Sequence, residues 1–462
     1  MKGFSLQRIC SDNFLYCFFL FLFFYSNLIT RVSGINANII FYILLVYSFI
    51  YSISFKQWHA LTYVIVAIAL YFSIFIFDYR TDIITNIKAL KDFVMPLLSF
   101  TVGCNLVYKL PLFVNFINKI YFPFILYGII QEICFFTDTM KVILPWDAHW
   151  IAQLKEEGAN NLYQGFILRF FGTMNAFQEY QLVVVVMVFF LWGNIKYIKN
   201  TRLFVFNCVM ALIFNLVAFE RTPLLMMVLL FVSINFASVR TRIVRLLGIV
   251  ILAALIICTL KFSNLDFILR ENPVWGDAYG RLINIVLLDF EADSSIADRK
   301  NILWEKSKVL AYDHIGGLGP GYVSPASQSQ HGAIQPHNNY LVYWLGYGLF
   351  GLLIMIAFLY LLAIQFSRLH NPYKNLGFGL LFSFAAFAVF YLPFVGKSGI
   401  LFFLVAGFLA NSFRYKGRKI VSHGGESLRG QYCSLELSGV AAVTHQEGML
   451  CGVVSIDRRD PR

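Results

Sequence analysis

A histidine and two asparagines stand directly before a long apolar run in HNNYLVYWLGYGLFG, residues 337–351. An imidazole titrates near neutral pH, so His337 can take a proton from a hydroxyl group. At the mouth of a membrane helix, such a base could meet a lipid-anchored substrate. The alternative is an interfacial histidine that caps the helix together with Asn338. Position alone leaves both interpretations open.

Three arginines could bind phosphate. Arg221 lies in AFERTPLL between two apolar runs, where a charge is expensive unless it is paired or solvated. A guanidinium fork binds phosphate oxygens bidentately, although Arg221 could instead be a turn residue that reaches toward water. Arg169, in RFFG, is either a second phosphate ligand or a cation–π partner of the neighbouring aromatic rings. Arg299 is by default a solvated residue of a long loop.

Two other patterns do not predict a binding site. The carboxylates of DFEADSSIAD lack the glycine and terminal glutamate of an EF-hand, so a solvated acidic loop is expected there. The run GGLGPG, residues 316–321, has the glycines of a phosphate loop but no following GK[ST]. It indicates a flexible, solvated, turn-rich loop.

The composition then defines the elements that must position these residues. Charged residues make up 13% of the 462 residues, against roughly 25% in soluble proteins, and 59% are hydrophobic. Apolar runs of this length predict an all-α polytopic membrane protein, because lipid-facing backbone must satisfy its own hydrogen bonds. We predict about twelve transmembrane helices, at 13–30, 35–54, 58–77, 93–108, 112–136, 178–193, 203–219, 222–237, 244–262, 339–364, 376–395 and 398–412.

Loop charge predicts the orientation of these helices. The basic loops KYIKNTR and VRTRIVR fall on one side, which places both termini in the cytoplasm. The same rule explains the net charge of +12 without a nucleic-acid partner. Two larger loops, 137–177 and 263–336, then face outward. The four candidate residues, Arg169, Arg221, Arg299 and His337, fall on the same outer side. Within the second loop, DRKNILWEKSKVLAY predicts a helix with Trp304, Val309 and Tyr312 on one face.

The predicted organisation has three parts. Residues 1–92 form N-terminal membrane helices, and residues 93–412 form the membrane domain that includes the outer loop 263–336. Residues 413–462 are predicted to be a cytoplasmic tail that is poorly ordered beyond the last basic residues, because they contain no apolar run long enough to span.

The motif around His337 resembles that of the bacterial O-antigen ligase and polymerase superfamily, which consists of integral membrane glycosyltransferases. The resemblance rests on His337-Asn338, nine further residues, and then Gly348 to Gly351. Trp304, GGLGPGY and RFFG also look like that family's outer-loop segments. The similarity covers roughly residues 90–410. One departure is Glu220 before Arg221, where the family usually has serine.

The resemblance implies a mechanism without cofactor or metal. The donor would be an oligosaccharide on undecaprenyl diphosphate, presented in the membrane lipid at the outer face. Arg169, Arg221 and Arg299 would bind the diphosphate, and His337 would deprotonate the acceptor hydroxyl. Asn338, Gly348 and Gly351 would support the site, with Gly346, Gly348 and Gly351 allowing close helix packing.

The acceptor is not determined by these motifs. A polymerase extends a lipid-linked glycan by one repeat unit, and a chain-length regulator protein is then a possible partner. A ligase transfers the finished glycan to lipid A–core. Two sizeable outer loops and many aromatic residues favour the polymerase. A polysaccharide flippase or other transporter is the alternative from another class, but it should carry charges along its spans rather than at one face.

Overall fold

The computed structural model is helical almost throughout the residues it describes. These are 3–54, 59–78, 82–156, 163–164, 167–168, 172–174, 177–217, 226–227, 229–231, 233, 271, 303–323, 336–389 and 391–423. Contacts divide the chain into the units Met1–Ser412 and Phe413–Arg462. All side-chain contacts described below lie within the first unit.

Nine α-helices are described in the N-terminal half. They are α1 (Gly3–Ser33), α2 (Ala37–Ser54), α3 (Ala60–Ile74), α4 (Ile83–Leu106), α5 (Leu110–Phe136), α6 (Met140–Ile143), α7 (Pro145–Glu156), α8 (Phe177–Gly193) and α9 (Thr201–Val217). A two-residue antiparallel ladder pairs β1 (Tyr163–Gln164) with β2 (Ile167–Leu168).

Five helices are described in the C-terminal half. They are α10 (Glu305–Asp313), α11 (Pro320–Val323), α12 (Asn339–Ser367), α13 (Tyr373–Phe387) and α14 (Gly396–His423).

Four described stretches are long and apolar enough to cross a membrane. They are Asn13–Ser33, Ala60–Phe77, Ile83–Phe135 and Asn339–Ser367. The third contains both α4 and α5, which the short 3-10 turn Val107–Lys109 separates. Shorter apolar helices cover Ala37–Ile53, Glu179–Gly193, Thr201–Asn215 and Gly396–Ser412. The helical membrane class is therefore confirmed, whereas the number twelve stays a prediction because 222–237 and 244–262 lie largely outside the described residues.

Three predicted boundaries are wrong. Helix α4 begins at Ile83 rather than at 93, because Asp82 caps it by accepting a hydrogen bond from the amide of Thr85 at 2.9 Å. Helix α13 ends at Phe387 instead of continuing to 395. Helix α14 continues past residue 412 to His423, so the first part of the predicted poorly ordered tail is helical.

Helices α4 and α14 approach each other closely at two glycines. A Cβ added at Gly103 would overlap the carbonyl oxygen of Leu404, and one at Gly407 would overlap that of Phe100. Polar side chains lie across the same contact, since Ser99 donates to the Ile400 carbonyl at 3.0 Å and Asn411 donates to the Cys104 carbonyl at 2.7 Å. Lipid tails are as apolar as the helix surfaces, so the hydrophobic effect does not drive membrane helices together. Their association depends instead on small residues that allow close packing and on interhelical hydrogen bonds.

Candidate active site at the start of helix α12

His337 lies two residues before α12 in a left-handed backbone conformation, with φ of 47°. Few non-glycine residues adopt positive φ, and holding one there typically costs about 1–3 kcal/mol. The side chain is half-buried and has an interaction partner in the structure. The surrounding contacts must therefore stabilise this conformation.

The two asparagines that follow supply part of that stabilisation. Asn338 is the N-cap of α12, and its side-chain oxygen accepts hydrogen bonds from the amides of Tyr340 and Leu341 at 3.0 and 3.1 Å. The Asn339 amide donates to the Ala388 carbonyl at 2.7 Å, and its side-chain oxygen accepts from the Phe394 amide at 3.1 Å. Asn338 thus makes the cap hydrogen bonds, and Asn339 ties the helix start to residues 388–396, which connect α13 to α14.

Helix α10 holds the residues before His337. The Trp304 indole donates to the Pro336 carbonyl at 2.8 Å, and the Tyr312 ring packs edge-on against Trp344 of α12 at 5.1 Å. On the predicted face, Val309 and Tyr312 are 61% and 66% exposed, whereas Ser307 and Ala311 are buried. Small side chains pack inward because α10 lies close against α12.

The glycine-rich segment 316–319 enters a break in α12. Gly348 has φ of 74° and ψ of 176°, which interrupts the helix. There the Leu318 amide donates to the Leu345 carbonyl at 2.5 Å, and the Leu349 amide donates to the Ile315 carbonyl at 2.9 Å. The segment therefore supplies hydrogen-bond partners where the helix leaves its own backbone groups unpaired.

This arrangement corrects two expectations. The GGLGPG run is not a solvated loop, since residues 317–321 are buried. Among the described residues, the closest neighbours of the α12 glycines belong to residues 315–323 and to α12 itself, and not to another membrane helix. A Cβ on Gly348 would lie 2.7 Å from the Gly316 backbone, and one on Gly346 would lie 3.2 Å from Val323 of α11. A Cβ on Gly351 would overlap Tyr347 of its own helix.

Aromatic side chains hold the broken helix from the other side. The Tyr71 hydroxyl donates to the carbonyl of Tyr347 at 2.8 Å, next to the break. Phe72 of α3 stacks on the Tyr347 ring at 3.9 Å, and Phe93 of α4 meets it edge-on at 5.1 Å. Helices α3 and α4 therefore hold α12 at Tyr347, next to the break. Helix α10 and the glycine segment hold α12 from the other side.

Four charged side chains from three other helices form a charged cluster: Lys91 and Asp92 of α4, Glu179 of α8 and Lys397 of α14. The Lys397 amide donates to the Glu179 carboxylate at 3.3 Å. Lys91 and Asp92 lie 3.4 Å apart, and the charge of Glu179 interacts with both. The connection 388–396, which contacts Asn339, leads directly into Lys397. The charged cluster and His337 therefore lie at the same end of the first unit.

A buried ion pair joins helix α1 to helix α7. Arg31 of α1 lies 3.4 Å from Asp147 of α7, with 4% and 0% of their side chains exposed. Tyr127 and Gln131 of α5 donate to the same carboxylate at 2.7 and 2.8 Å. Burial raises the pKa of Asp147, whereas Arg31 and these hydrogen bonds act in the opposite direction.

The same network holds the segment that follows Arg169. The Arg31 guanidinium donates to the Gly172 carbonyl at 2.5 Å, and the Gly172 amide donates to the Gln131 side chain at 3.0 Å. Arg169 itself, Arg221 and Arg299 lie outside the described residues, so their predicted diphosphate contacts remain predictions. Among the described side chains, no group of three His, Cys, Asp or Glu residues is arranged to hold a metal ion.

Sequence reasoning missed the charged cluster and the pair Arg31–Asp147. A usable signal was present, because Lys91, Asp92, Glu179 and Lys397 are charges at the edges of long apolar runs. All four fall at the outward ends of their spans in the predicted topology. Intramembrane and near-membrane charges are rare enough to suggest function wherever they occur.

Residues 206–356 match the family model described as O-antigen ligase. The matched region starts in α9 and includes α10, the glycine segment, His337 and the break at Gly348. No curated protein matches the chain. The motif that begins at His337 lies inside this match, so residues 206–356 are similar to the O-antigen ligase family, a family of glycosyltransferase-like membrane enzymes.

Proposed function

We propose that the chain is an O-antigen polymerase, which transfers an undecaprenyl-diphosphate-linked glycan to an acceptor sugar hydroxyl at the outer face of the inner membrane. The observation that supports this most directly is His337, which is held at positive φ at the start of α12, inside the region that matches the family. A strained backbone at the mouth of a membrane helix is expected where a side chain must be presented in a fixed position.

In this mechanism His337 takes the proton of the acceptor hydroxyl. The resulting oxygen attacks the anomeric carbon of the donor sugar, and the bond from that carbon to the diphosphate oxygen breaks. The electron pair leaves with undecaprenyl diphosphate, and attack from the opposite face inverts the anomeric configuration. Arg169, Arg221 and Arg299 would stabilise the charge that grows on the leaving group, so that no metal is required.

The ligase reaction is the second candidate, because the matching family model is described as O-antigen ligase. Both reactions use the same donor and base, and they differ only in the acceptor. The lipopolysaccharide ladder of a deletion strain distinguishes them. Core plus a single repeat unit indicates a polymerase, and core alone with accumulated lipid-linked polymer indicates a ligase.

A transporter is less well supported. Among the described charges, Arg31, Glu179 and Lys397 lie in the first or last turn of their helices rather than along a central path through the spans. Such charges suit an enzyme that meets its substrate at one membrane face. Sugar transfer by the purified chain, with donor and acceptor on the same side of the bilayer, would separate the two classes.

The catalytic assignment is tested by His337→Asn. Asparagine tolerates positive φ, so this change keeps the backbone and removes the base. We expect normal membrane abundance and a loss of polymer formation of about 10²–10⁴-fold. The control is His370→Asn, at an exposed position beyond the far end of α12. A normal sugar ladder from His337→Asn at normal abundance would overturn the role of His337 as the base.

The diphosphate assignment is tested by Arg221→Lys. Lysine keeps the positive charge but loses the bidentate fork, so transfer should fall. Arg169→Lys should be impaired less. If the lysine variant works as well as arginine while Arg221→Ala fails, the residue supplies charge alone and the bidentate contact is wrong.

A further inference from the structure

The charged cluster of Lys91, Asp92, Glu179 and Lys397 is not used by the mechanism above. Its members come from three helices that are far apart in the chain. The Lys397 amide nevertheless donates to the Glu179 carboxylate at 3.3 Å, and Lys91 and Lys397 both lie beside rings of consecutive residues of α2, Tyr42 and Phe41. The side chain of Lys397 also donates to Ser26 of α1 at 2.8 Å. Four helices therefore contribute to one polar region inside an otherwise apolar unit.

The cluster is lined by aromatic rings as well as by charges. The Lys91 ammonium lies 4.9 Å above the Tyr42 ring, and the Lys397 ammonium lies 5.6 Å from the Phe41 ring. Tyr391, in the connection from α13 to α14, is close enough for electrostatic interaction with Glu179. Binding sites for small organic ligands typically combine such apolar walls with a few convergent polar groups.

The cluster is partly accessible. Lys397 is only 4% exposed, but the Lys91 and Asp92 side chains retain 39% and 28% of their surface. Lys91 and Asp92 are therefore its accessible members.

The charge balance indicates the kind of ligand. Two ammonium groups stand against two carboxylates, so the cluster has no net charge to attract an anion such as a diphosphate. Mixed donors and acceptors beside aromatic faces instead suit the hydroxyl groups of a neutral sugar. We propose that Lys91, Asp92, Glu179 and Lys397 form a carbohydrate subsite that binds the acceptor glycan next to His337. This proposal rests on the proposed function for the identity of the glycan.

The test measures binding rather than turnover. The probe is the lipid-free repeat-unit oligosaccharide of the bacterium's own polysaccharide, titrated against the full-length chain in detergent micelles. Undecaprenyl diphosphate is titrated in parallel. Because Lys397 is buried, Lys397→Met is accompanied by the isosteric variant Asp92→Asn. The matched controls are Lys88→Met on the exposed surface of α4 and Asp138→Asn on an exposed turn.

We expect Lys397→Met and Asp92→Asn to raise the oligosaccharide Kd by about 10-fold or more, since a hydrogen bond to a charged group is typically worth about 1.5–3 kcal/mol. Both should bind undecaprenyl diphosphate like the wild type, as should the controls. Unchanged oligosaccharide binding in both variants would overturn the subsite, as would a wild type that binds no oligosaccharide. The subsite would also be overturned if the two variants lost only undecaprenyl diphosphate binding, because the cluster would then belong to the donor site.

The outcome is separable from that of the proposed function. The variant His337→Asn should bind the oligosaccharide normally and make no polymer. If it makes polymer while Lys397→Met loses the oligosaccharide, the subsite stands and the catalytic role of His337 fails.

Discussion

Replacing Gly317 by alanine should dislodge the glycine segment from α12. Gly317 has φ of 90°, and a Cβ there would lie 2.5 Å from the Gly348 amide nitrogen and 3.0 Å from the Tyr347 carbonyl carbon. Both neighbours are backbone atoms, which cannot rotate away as the end of a flexible side chain could. The new methyl group therefore requires the segment to withdraw or α12 to shift.

The size of the effect follows from what would be lost. An alanine held at this φ costs about 1–3 kcal/mol. Withdrawal relieves this strain but breaks two backbone hydrogen bonds, from Leu318 to Leu345 and from Leu349 to Ile315, each worth about 0.5–1.5 kcal/mol. Either outcome costs about 1–3 kcal/mol, so the segment's attachment should weaken by about that amount. Because the same segment follows α10, which holds Pro336 through Trp304, His337 should lose its fixed position.

Gly316→Ala is the matched control, since a Cβ at Gly316 meets nothing within 4 Å. Limited proteolysis of the detergent-purified variants, read by mass spectrometry across 303–323, measures the attachment of the segment. The sugar ladder at equal membrane abundance measures activity. We expect faster cleavage and a reduced ladder for Gly317→Ala only. Equal cleavage rates and equal ladders for the two variants would refute the inserted position of the segment.

Three other changes test the same framework. Asn338→Ala should lower stability by about 1 kcal/mol through loss of the cap, seen as a lower Tm, and an unchanged Tm would contradict the capping role. Asp147→Asn leaves the Arg31 charge buried without its counterion, so the free energy of unfolding should fall by about 3–5 kcal/mol, measured by thermal unfolding. The exposed variant Asp138→Asn should unfold like the wild type, and equal Tm values for the two variants would contradict the buried pair. Truncation after His423, the end of α14, should leave the membrane level and the sugar ladder normal, because all candidate site residues lie before it. Normal abundance without polymer would show that the tail is required.

Much of the helical framework could be predicted from the sequence. Long apolar runs need internally satisfied backbone, so helices follow at most of the predicted spans described by the structure. The order His337-Asn338-Asn339 before an apolar run also predicts a capped helix start, because asparagine is among the best N-cap residues. Errors occurred at ends, as at Ile83, where a cap such as Asp82 matters more than hydropathy.

The role of the glycines could not be predicted in the same way. Positive φ at Gly348 and the entry of residues 316–319 depend on two segments about thirty residues apart reaching hydrogen-bond distance. Hydropathy and helix periodicity report local patterns, and they give GGLGPG only as a turn. The sequence alone therefore indicated a solvated loop where the structure has a buried one.

By itself, the sequence determined the membrane class, the start of the helix after His337 and the resemblance that the family match then confirmed. Each rests on residues close together in the chain. The tertiary structure alone decided that Lys91, Asp92, Glu179 and Lys397 converge, and that Arg31 of α1 meets Asp147 of α7. These contacts between residues that are distant in the sequence depend on which helices lie side by side. Helix packing decides that through small residues and buried polar contacts that are distant in sequence, such as Gly103 against Leu404.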